Sequence, residues 1–416
     1  MKICIFQTGE PLHIDKGKYR PMRCMLLADK LVENGHKVTI ISSDFFHQRK
    51  QHRFNNFKSI KVNKNLDIYL IPSLGYKKHI SLIRVIDHIS LAFNLFRFLK
   101  RNKDFNPDKL FIGYPPILTS LVIARWCIKK RISFILDIKD KWPEHFLEPF
   151  PNNAKSSAKI LLKPYFMASK YVFKKATKIT SITDEYIEWA KFFSEDINDK
   201  NKRYFVSPLI RKPFKLSKSK SKESIDFWQE NNLNILEEQY FCFIGSFTKS
   251  FDFDFIYKSA KLLTKSNPKV KFILCGSGDQ YENIQRKFSH LKNTKVLGEI
   301  DMYKAKCLII NAKASLAPYI NNKNFKNHIP NKIIESLENG TPFVTTLEGK
   351  LKSIINKYHN GIFIPNKDPI DITKLEELLV NKEYLNNLRK NAKDSYKKLF
   401  NFDITYNQIE KSLIKL

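Results

Sequence analysis

The segment NHIPNKIIESLENGTPFVTT, residues 327–346, has the residue types and spacing of a helix that can bind an anion. Pro330 fits the first turn of such a helix and Gly340 fits its end. Three apolar side chains form one stripe of the helix, and Lys332 and Glu335 share the opposite face. The free N–H groups and positive dipole of a helix N-terminus suit a phosphate. A lysine and a glutamate at this spacing are also typical of a solvated charge pair, so both interpretations stand.

Three carboxylates follow a predicted strand in the segment DIKDKWPEHF, residues 137–146. Asp137, Asp140 and Glu144 should therefore emerge at the carboxyl end of that strand, where open α/β sheets bind ligands. Carboxylates can stabilise developing positive charge or assist a hydroxyl group. We favour Asp140, because Asp137 can turn back and cap the backbone. The structural alternative is a capped loop in which Trp142 packs into the core.

Near the N-terminus, one glycine and two arginines are further candidates. Gly9 lies in a turn-rich loop after the apolar run Ile3–Phe6, where a glycine lets the backbone come close to a ligand. An ordinary turn explains Gly9 equally well. Arg20 and Arg23 lie at a predicted helix start, where the helix dipole disfavours cations. Their position is explained if they meet an anion, and the alternative is that they are ordinary surface arginines.

Short apolar runs alternate with amphipathic segments along both halves of the chain, which predicts parallel sheets covered by helices on both faces. The strands of the first half are predicted at 3–6, 38–41, 68–71, 110–112, 132–136, 179–182 and 204–206. Those of the second half are predicted at 240–244, 270–274, 295–297, 314–316, 343–345 and 361–364. Between the halves, KLSKSKSKES (215–224) is so polar that we expect a mobile segment. The predicted domains are 1–208, joined by a C-terminal helix at 398–416, and 209–397.

Composition limits the class of protein. The 416 residues are 43% hydrophobic, which excludes a disordered chain. Six cysteines stand singly without a C-x-x-C pair, so a disulfide framework or zinc site is not expected, and we predict a reduced, cytoplasmic protein. The net charge of +32 favours an anionic partner. Without a nucleic-acid-binding motif, we prefer an anionic membrane surface, on which the basic ends of the amphipathic 80–100 helix can rest.

The motifs of the chain resemble those of retaining GT-B glycosyltransferases of glycosyltransferase family four, along nearly the whole sequence. In the second half these motifs are FCFIGSF (241–247), FILCGSGD (272–279), VLGEI (296–300), ASLAPY (314–319) and PNKIIESLENGTPFV (330–344). In the first half, residues 9–43 resemble the family's first loop and helix, including the Gly35-His36-x-Val38 turn. The helix that begins Pro-x-Lys-x-x-Glu is similar to that of bacterial O-antigen, capsule and lipopolysaccharide enzymes.

The resemblance implies two tandem Rossmann-like domains with a cleft between them, and it assigns roles to residues. Glu335 would hold the ribose of the donor, and Asp140, Glu144 and Lys249 would be catalytic. The residues implied to bind the donor are Gly9, Gly245, Ser246, Gly276, Gly278, Tyr319, Asn331, Lys332 and Glu335. Arg20 and Arg23 would face a lipid-linked diphosphate acceptor.

Two positions depart from the family pattern. Asn327 stands where the family's paired-glutamate signature has its first acid. Ser246 stands where the family commonly has an arginine that stabilises the diphosphate, and either Lys249 or Lys332 can replace it. No metal and no other cofactor is expected.

The resemblance implies a metal-independent hexosyl or N-acetylhexosaminyl transferase. It would move a sugar from a nucleoside diphosphate donor, UDP-sugar by preference, to a lipid-linked glycan or surface-polysaccharide precursor, with retention. The expected location is the cytoplasmic face of the bacterial plasma membrane. The alternatives are a nucleotide-sugar 2-epimerase of the same architecture and, more distantly, a basic nucleic-acid-binding protein.

Overall fold

The structure, a computed structural model, describes residues 1–16, 21–77, 81–148, 150–195, 203–321, 323–326 and 329–416. The chain divides into two compact units. Unit 1 contains Met1–Lys212 and Phe402–Leu416, and unit 2 contains Pro213–Asn401.

The strands of unit 1 are β1 (Lys2–Phe6), β2 (Lys37–Ser43), β3 (Phe45–Phe46), β4 (Gln51–His52), β5 (Lys58–Asn63), β6 (Leu66–Ile71), β7 (Lys109–Tyr114), β8 (Ser133–Ile138), β9 (Lys178–Ser181) and β10 (Tyr204–Val206). Those of unit 2 are β11 (Tyr240–Ile244), β12 (Lys271–Cys275), β13 (Thr294–Leu297), β14 (Ala314–Ala317), β15 (Phe343–Thr345) and β16 (Gly361–Phe363). All thirteen strands predicted from the apolar runs are present, with ends shifted by a few residues.

The helices, in chain order, are α1 (Arg23–Glu33), α2 (Leu82–Arg101), α3 (Ile117–Lys130), α4 (Lys155–Leu161), α5 (Lys163–Lys175), α6 (Asp184–Ser194), α7 (Lys218–Glu230), α8 (Phe253–Ser266), α9 (Tyr281–Phe288), α10 (Met302–Asn311), α11 (Lys323–Lys326), α12 (Asn331–Glu338), α13 (Lys350–Tyr358), α14 (Thr373–Val380), α15 (Lys382–Leu399) and α16 (Phe402–Ile414).

Unit 1 is built on an eight-stranded sheet in the order β10-β9-β8-β7-β1-β2-β6-β5. Its strands run parallel except β5, which pairs antiparallel with β6 at one edge. The C-terminal helix α16 belongs to this unit, and its Glu410 accepts hydrogen bonds from Asn34 (2.6 Å) and pairs with His36 (3.1 Å). Tyr406 of α16 also donates to the carbonyl of Ile210 at 3.2 Å. The chain thus returns to unit 1 after completing unit 2.

Unit 2 is built on a six-stranded, wholly parallel sheet in the order β13-β12-β11-β14-β15-β16. Side chains alternate between the two faces of each strand, and both faces are buried. In β11, Phe241 and Phe243 belong to one apolar core, whereas Tyr240 and Cys242 belong to a second core that also contains Trp228. Burial on both faces explains why these strands read as continuous apolar runs.

The expectation of a mobile Lys/Ser segment at 215–224 is wrong. Most of that segment forms the first turns of α7, where the Ser217 side chain accepts a hydrogen bond from the backbone N–H of Lys220 at 3.2 Å. The fully buried Trp228 anchors the other end of the helix in the core. Because tertiary packing supplies most helical stability, the anchored end and the cap hold the polar turns in place.

A buried charge network holds the carboxyl ends of several strands of unit 1. Arg23, 2% exposed, lies 3.3 Å from the carboxylate of Asp137 and donates to the hydroxyl of Ser207 at 2.8 Å. Lys139 contacts Glu10, lies 3.7 Å from Asp137 and donates to Gln7 at 2.7 Å. Burial raises the pKa of Asp137, and the charges of Arg23 and Lys139 oppose that shift. The network ties α1 to the segments that follow β1, β8 and β10.

Replacing one partner of this buried pair should cost far more stability than replacing both. Arg23→Leu leaves the Asp137 carboxylate buried without its closest cation, so we expect a loss of about 3–5 kcal/mol in the free energy of unfolding. The double variant Arg23→Leu/Asp137→Leu should recover a large part of that loss. Urea unfolding, followed by circular dichroism, measures both changes.

The control is Lys212→Leu, which breaks an exposed ion pair between Lys212 and Glu33. Glu33 lies at the other end of α1, the helix that begins at Arg23. Such surface pairs contribute about 0–1 kcal/mol. If Arg23→Leu costs no more than Lys212→Leu, the network is not the constraint described above.

Candidate functional site

The loops that follow β11 and β12 interlock at the carboxyl edge of the unit 2 sheet. The N–H of Gly245 donates to the carbonyl of Cys275 at 3.0 Å, and the N–H of Phe247 donates to the carbonyl of Ser277 at 2.7 Å. A Cβ on Gly276 would overlap the carbonyl oxygen of Gly245. Both glycines have positive φ, at 157° for Gly245 and 154° for Gly276. Close backbone packing between the two loops therefore requires a glycine at position 276.

The amine of Lys332, on the first turn of α12, lies directly against Gly245. A Cβ on Gly245 would come within 2.8 Å of Nζ, so the glycine makes room for the amine. Nζ is buried and lies 3.8 Å from the ring centroids of both Phe243 and Phe251. Among the residues that the structure describes, it has no hydrogen-bond partner. The solvated charge pair considered from the sequence is therefore not what forms at Lys332.

Burial has a large effect on this amine. It lowers the pKa of Lys332 well below the ordinary value, and the nearby negative charge of Glu335 acts in the opposite direction. The aromatic faces compensate a buried ammonium only in part. An anion bound beside Gly245 would give the amine a partner and would raise the pKa of Lys332 again.

The other residues of unit 2 that were expected to bind the donor or to be catalytic are either packed in this region or exposed on its surface. Tyr319 is 7% exposed and packs on Phe251, with ring centroids 4.5 Å apart. Glu335, one turn along α12 from Lys332, is partly exposed. Gly278 packs against the backbone of Phe247. The remaining three, Ser246, Lys249 and Asn331, are exposed to solvent. We call the set formed by Gly245, Gly276, Tyr319, Lys332 and Glu335 the unit 2 loop cluster.

Unit 1 contains a cavity of about 230 Å³ at the carboxyl ends of β1, β2, β7 and β8. Its lining residues are Gln7, Thr8, Gly9, Glu10, Met22, Ser43, Phe45, His47, Tyr76, Arg84, Asp87, His88, Leu91, Pro115, Pro116, Lys139, Asp140 and Trp142. In the sheet, β1 lies between β2 and β7: the chain continues from β1 through α1 to β2 on one side, and it returns from β6 through α2 to β7 on the other. Such a switch point is where open α/β sheets bind ligands. We call this space the unit 1 cavity.

Cations and aromatic rings dominate one wall of the unit 1 cavity. The guanidinium of Arg84 lies 5.4 Å from the ring centroid of Tyr76 and 5.0 Å from that of Trp142. His47 forms a 2.5 Å hydrogen bond with the hydroxyl of Tyr76. Burial and the positive charges of Arg84 and His47 lower the pKa of His88 to about 4. His88 is therefore neutral at pH 7, and Arg84 supplies the positive charge of this wall.

Of the three carboxylates in DIKDKWPEHF, the structure brings only Asp140 to the unit 1 cavity. Asp140 pairs with His145 at 2.7 Å, and this hydrogen bond raises the pKa of His145. Glu144 instead accepts a hydrogen bond from the indole of Trp189 at 3.0 Å and does not line the cavity. Burial raises the pKa of Glu144. Glu144 therefore follows the carboxyl end of β8 as expected but lies outside the cavity lining, and its catalytic role stays a prediction.

Arg23 does not face a partner outside the chain. It is buried, and the anion it meets is the carboxylate of Asp137. The expectation that it contacts a diphosphate acceptor is wrong, because α1 turns its first residue into unit 1 instead of toward solvent. Arg20 and Asn327 lie outside the described residues.

The sequence interpretation missed the wall formed by α2. From the sequence, the 80–100 helix is expected only to rest its basic ends on a membrane, and no role is expected for His47 or Tyr76. Arg84 and His88 are four residues apart, which places them on one face of a helix. That spacing is the signal that the sequence offers.

Within the residues that the structure describes, no helix is long and apolar enough to cross a bilayer. Over the same residues, no group of three or more His, Cys, Asp and Glu side chains is arranged to hold a metal ion.

Comparison with known proteins identifies the fold. Residues 224–395 match the family model of glycosyl transferases group 1. No curated protein matches the chain. The solved structures that resemble it include a sucrose-phosphate synthase from Thermosynechococcus elongatus, at 13% identity and a TM-score of 0.65, with 100% of this chain and 98% of that chain covered.

Two further solved structures are similar at low sequence identity. One is Anabaena HepE in complex with UDP-glucose, at 13% identity and a TM-score of 0.60, with all of both chains covered. The other is WaaG, a glycosyltransferase involved in lipopolysaccharide biosynthesis, at 13% identity and a TM-score of 0.59, with 98% of each chain covered. The predicted fold class, two Rossmann-like α/β domains of GT-B type, is confirmed.

Removing the buried amine should stabilise the protein in the absence of ligand. A buried polar group without a hydrogen bond costs about 1–3 kcal/mol, and a methionine of similar length keeps the apolar contacts of the side chain. We therefore expect Lys332→Met to raise the free energy of unfolding by about 1–3 kcal/mol, as measured by urea unfolding at neutral pH.

Lys258→Met is the matched control, because Lys258 is an exposed lysine of the same unit that pairs with Asp368 at the surface. Its effect should stay within about 0.5 kcal/mol. A Lys332→Met variant that is clearly less stable than the parent would show that the amine already has a stabilising partner.

Proposed function

We propose that the protein is a glycosyltransferase that moves a sugar from a nucleoside diphosphate donor, UDP-sugar by preference, to a lipid-linked glycan or surface-polysaccharide precursor. The observation that carries this proposal is the buried amine of Lys332, which lies beside Gly245 inside the range matched by the glycosyl transferases group 1 model. HepE was solved with UDP-glucose, and a trehalose-6-phosphate protein from E. coli with UDP-2-fluoro glucose. Both names support a uridine nucleotide.

In this proposal, the unit 2 loop cluster binds the donor. The ammonium of Lys332 stabilises the negative charge that develops on the diphosphate as the bond to the sugar breaks. Lys332 takes this role instead of Lys249, since Lys249 is exposed and lies in a turn. Glu335 accepts hydrogen bonds from the ribose hydroxyls, Asn331 offers its backbone N–H at the start of α12, and the loop glycines let the backbone come close to the donor. No metal takes part in the proposed reaction, and the anomeric configuration is retained.

The proposal assigns the acceptor to the unit 1 cavity. Gly9 lines the same cavity, with φ of 77° and only His47, at 4.0 Å, near the position of a Cβ, so its backbone stays open for the expected contact with the donor diphosphate. Asp140, positioned by His145, assists the hydroxyl that attacks the sugar. The positive wall formed by Arg84 suits an acceptor that carries a phosphate near the reacting sugar. The proposed location is the cytoplasmic face of the plasma membrane of a bacterium.

Thermal stabilisation by nucleotides tests the donor site. A ligand at about 100 times its dissociation constant adds about 2.7 kcal/mol to stability, which gives a clear shift in melting temperature. We expect UDP or GDP, but not CMP or duplex DNA, to stabilise the protein. Glu335→Ala should weaken the nucleotide about tenfold to a hundredfold, because it removes hydrogen bonds to a charged group.

Glu383→Ala, an exposed glutamate on α15, is the control and should bind nucleotide like the parent. Stabilisation by duplex DNA alone would contradict the proposal and favour a nucleic-acid-binding protein. Incubation with a nucleotide sugar in the absence of acceptor distinguishes the proposed transferase from a nucleotide-sugar 2-epimerase. An unchanged sugar configuration is expected, and an epimerised donor would identify a 2-epimerase instead.

A further inference from the structure

Helix α2 carries an unpartnered apolar stripe on its outer side. Leu82, Ile86, Ile89, Phe93 and Phe96 are each between 50 and 82% exposed. At about 100° per residue, these five side chains fall within an arc of about 80° and extend over about 21 Å of helix. A helix that packs normally on a domain turns such a stripe toward the core. Here the core-facing side is formed by a different set of residues, among them Leu91, Leu95 and Phe98.

The exposed charges that α2 itself carries on this side have one sign. Lys100 lies on the same line of the helix as the five apolar residues, and Arg97 and Arg101 lie to one side of that line, all three exposed. The acid of α2, Asp87, is 3% exposed and accepts a hydrogen bond from the N–H of Gly75 at 2.6 Å. The outer face of α2 therefore combines apolar side chains with cations and presents no carboxylate of its own.

The same helix also forms a wall of the unit 1 cavity. Arg84 and His88 line the cavity, and Ile86 and Ile89, their neighbours in sequence, are exposed on the outer side. The polar cavity and the apolar stripe are thus separated by the width of one helix, about 10 Å. A ligand with a polar head and an apolar tail would meet both surfaces.

We propose that the outer face of α2 docks in the interfacial region of an anionic bilayer. The apolar stripe enters the acyl boundary and the cations at its C-terminal end contact anionic headgroups. The orientation places the unit 1 cavity at the level of the headgroups, so that a lipid-linked acceptor reaches it without leaving the membrane. This last step rests on the proposed function, whereas the docking surface itself does not.

A second copy of the chain is the competing occupant, because apolar residues spaced four and three apart also suit a pair of helices. Charge argues against it. Each copy carries a net charge of +32, so self-association brings like charges together. An anionic bilayer gains from the same charge.

The test is sedimentation of the full chain with vesicles of phosphatidylcholine and phosphatidylglycerol, compared with phosphatidylcholine alone. We expect binding to the anionic vesicles that weakens with salt. The variant Ile86→Gln/Ile89→Gln/Phe93→Gln should bind about a hundredfold more weakly, since glutamine keeps the helix but removes apolar area from the interface. Lys100→Gln/Arg101→Gln should lose about fivefold per cation.

Each variant has a matched control at exposed positions elsewhere. Leu236→Gln/Val380→Gln/Ile404→Gln removes three exposed apolar side chains, and Lys261→Gln/Lys265→Gln removes two exposed lysines of α8. Both controls should bind vesicles like the parent. Equal losses in the controls would overturn the proposal, because they would show that total charge and apolar content decide binding.

Two further results would also overturn it. One is a parent protein that ignores the anionic vesicles at low salt. The other is a parent protein that is a dimer by sedimentation velocity, together with a triple α2 variant that is a monomer but binds vesicles as the parent does. Nucleotide stabilisation is measured on the same samples and should be unaltered in the triple variant. If no nucleotide stabilises the parent but vesicle binding depends on α2, the proposed function fails and the docking surface stands.

Discussion

The loops of unit 2 are arranged around one buried amine that lacks a hydrogen-bond partner among the described residues. Gly245 leaves room for the amine of Lys332, and Gly276 must be a glycine for the Gly245 loop to pack. Phe243 and Phe251 close over the amine and exclude water from it. Such an arrangement costs stability in the free protein unless an anion enters, and this cost is the reason we propose that the loops bind a ligand.

In unit 1, by contrast, the buried cations have carboxylate partners within the chain. Its buried cations, Arg23 and Lys139, are paired internally with Asp137 and Glu10, and this network holds the ends of the strands that frame the unit 1 cavity. The cavity wall itself carries Arg84 and two histidines, one of them forced to be neutral. Because α2 has the cavity on one side and an exposed apolar stripe on the other, one helix connects the polar site to the surface where we place the membrane.

The alternation of apolar runs with amphipathic segments was enough to predict thirteen of the sixteen described strands and the parallel α/β class, since strands buried on both faces read as continuous apolar runs. It did not predict β3, β4 and β5, which are short or lie at the antiparallel edge. Local composition gave a wrong prediction at α7, because the buried Trp228 anchors this helix and thereby holds its polar turns. The candidate site was predictable where its residues share one segment, as Lys332 and Glu335 do. It was not predictable where loops from distant segments meet: the sequence could not tell that Arg23 turns inward, that Glu144 binds Trp189, or that Arg84 lines a cavity.

Calorimetric titration with UDP and GDP, repeated in buffers of different ionisation enthalpy, tests the role of Lys332 most directly. A diphosphate raises the depressed pKa of the amine, so binding should take up a proton relative to Lys332→Met, and affinity should fall as the pH rises between the free and bound values. Equal proton uptake by the parent and by Lys332→Met, with the same affinity for the nucleotide, would contradict the account.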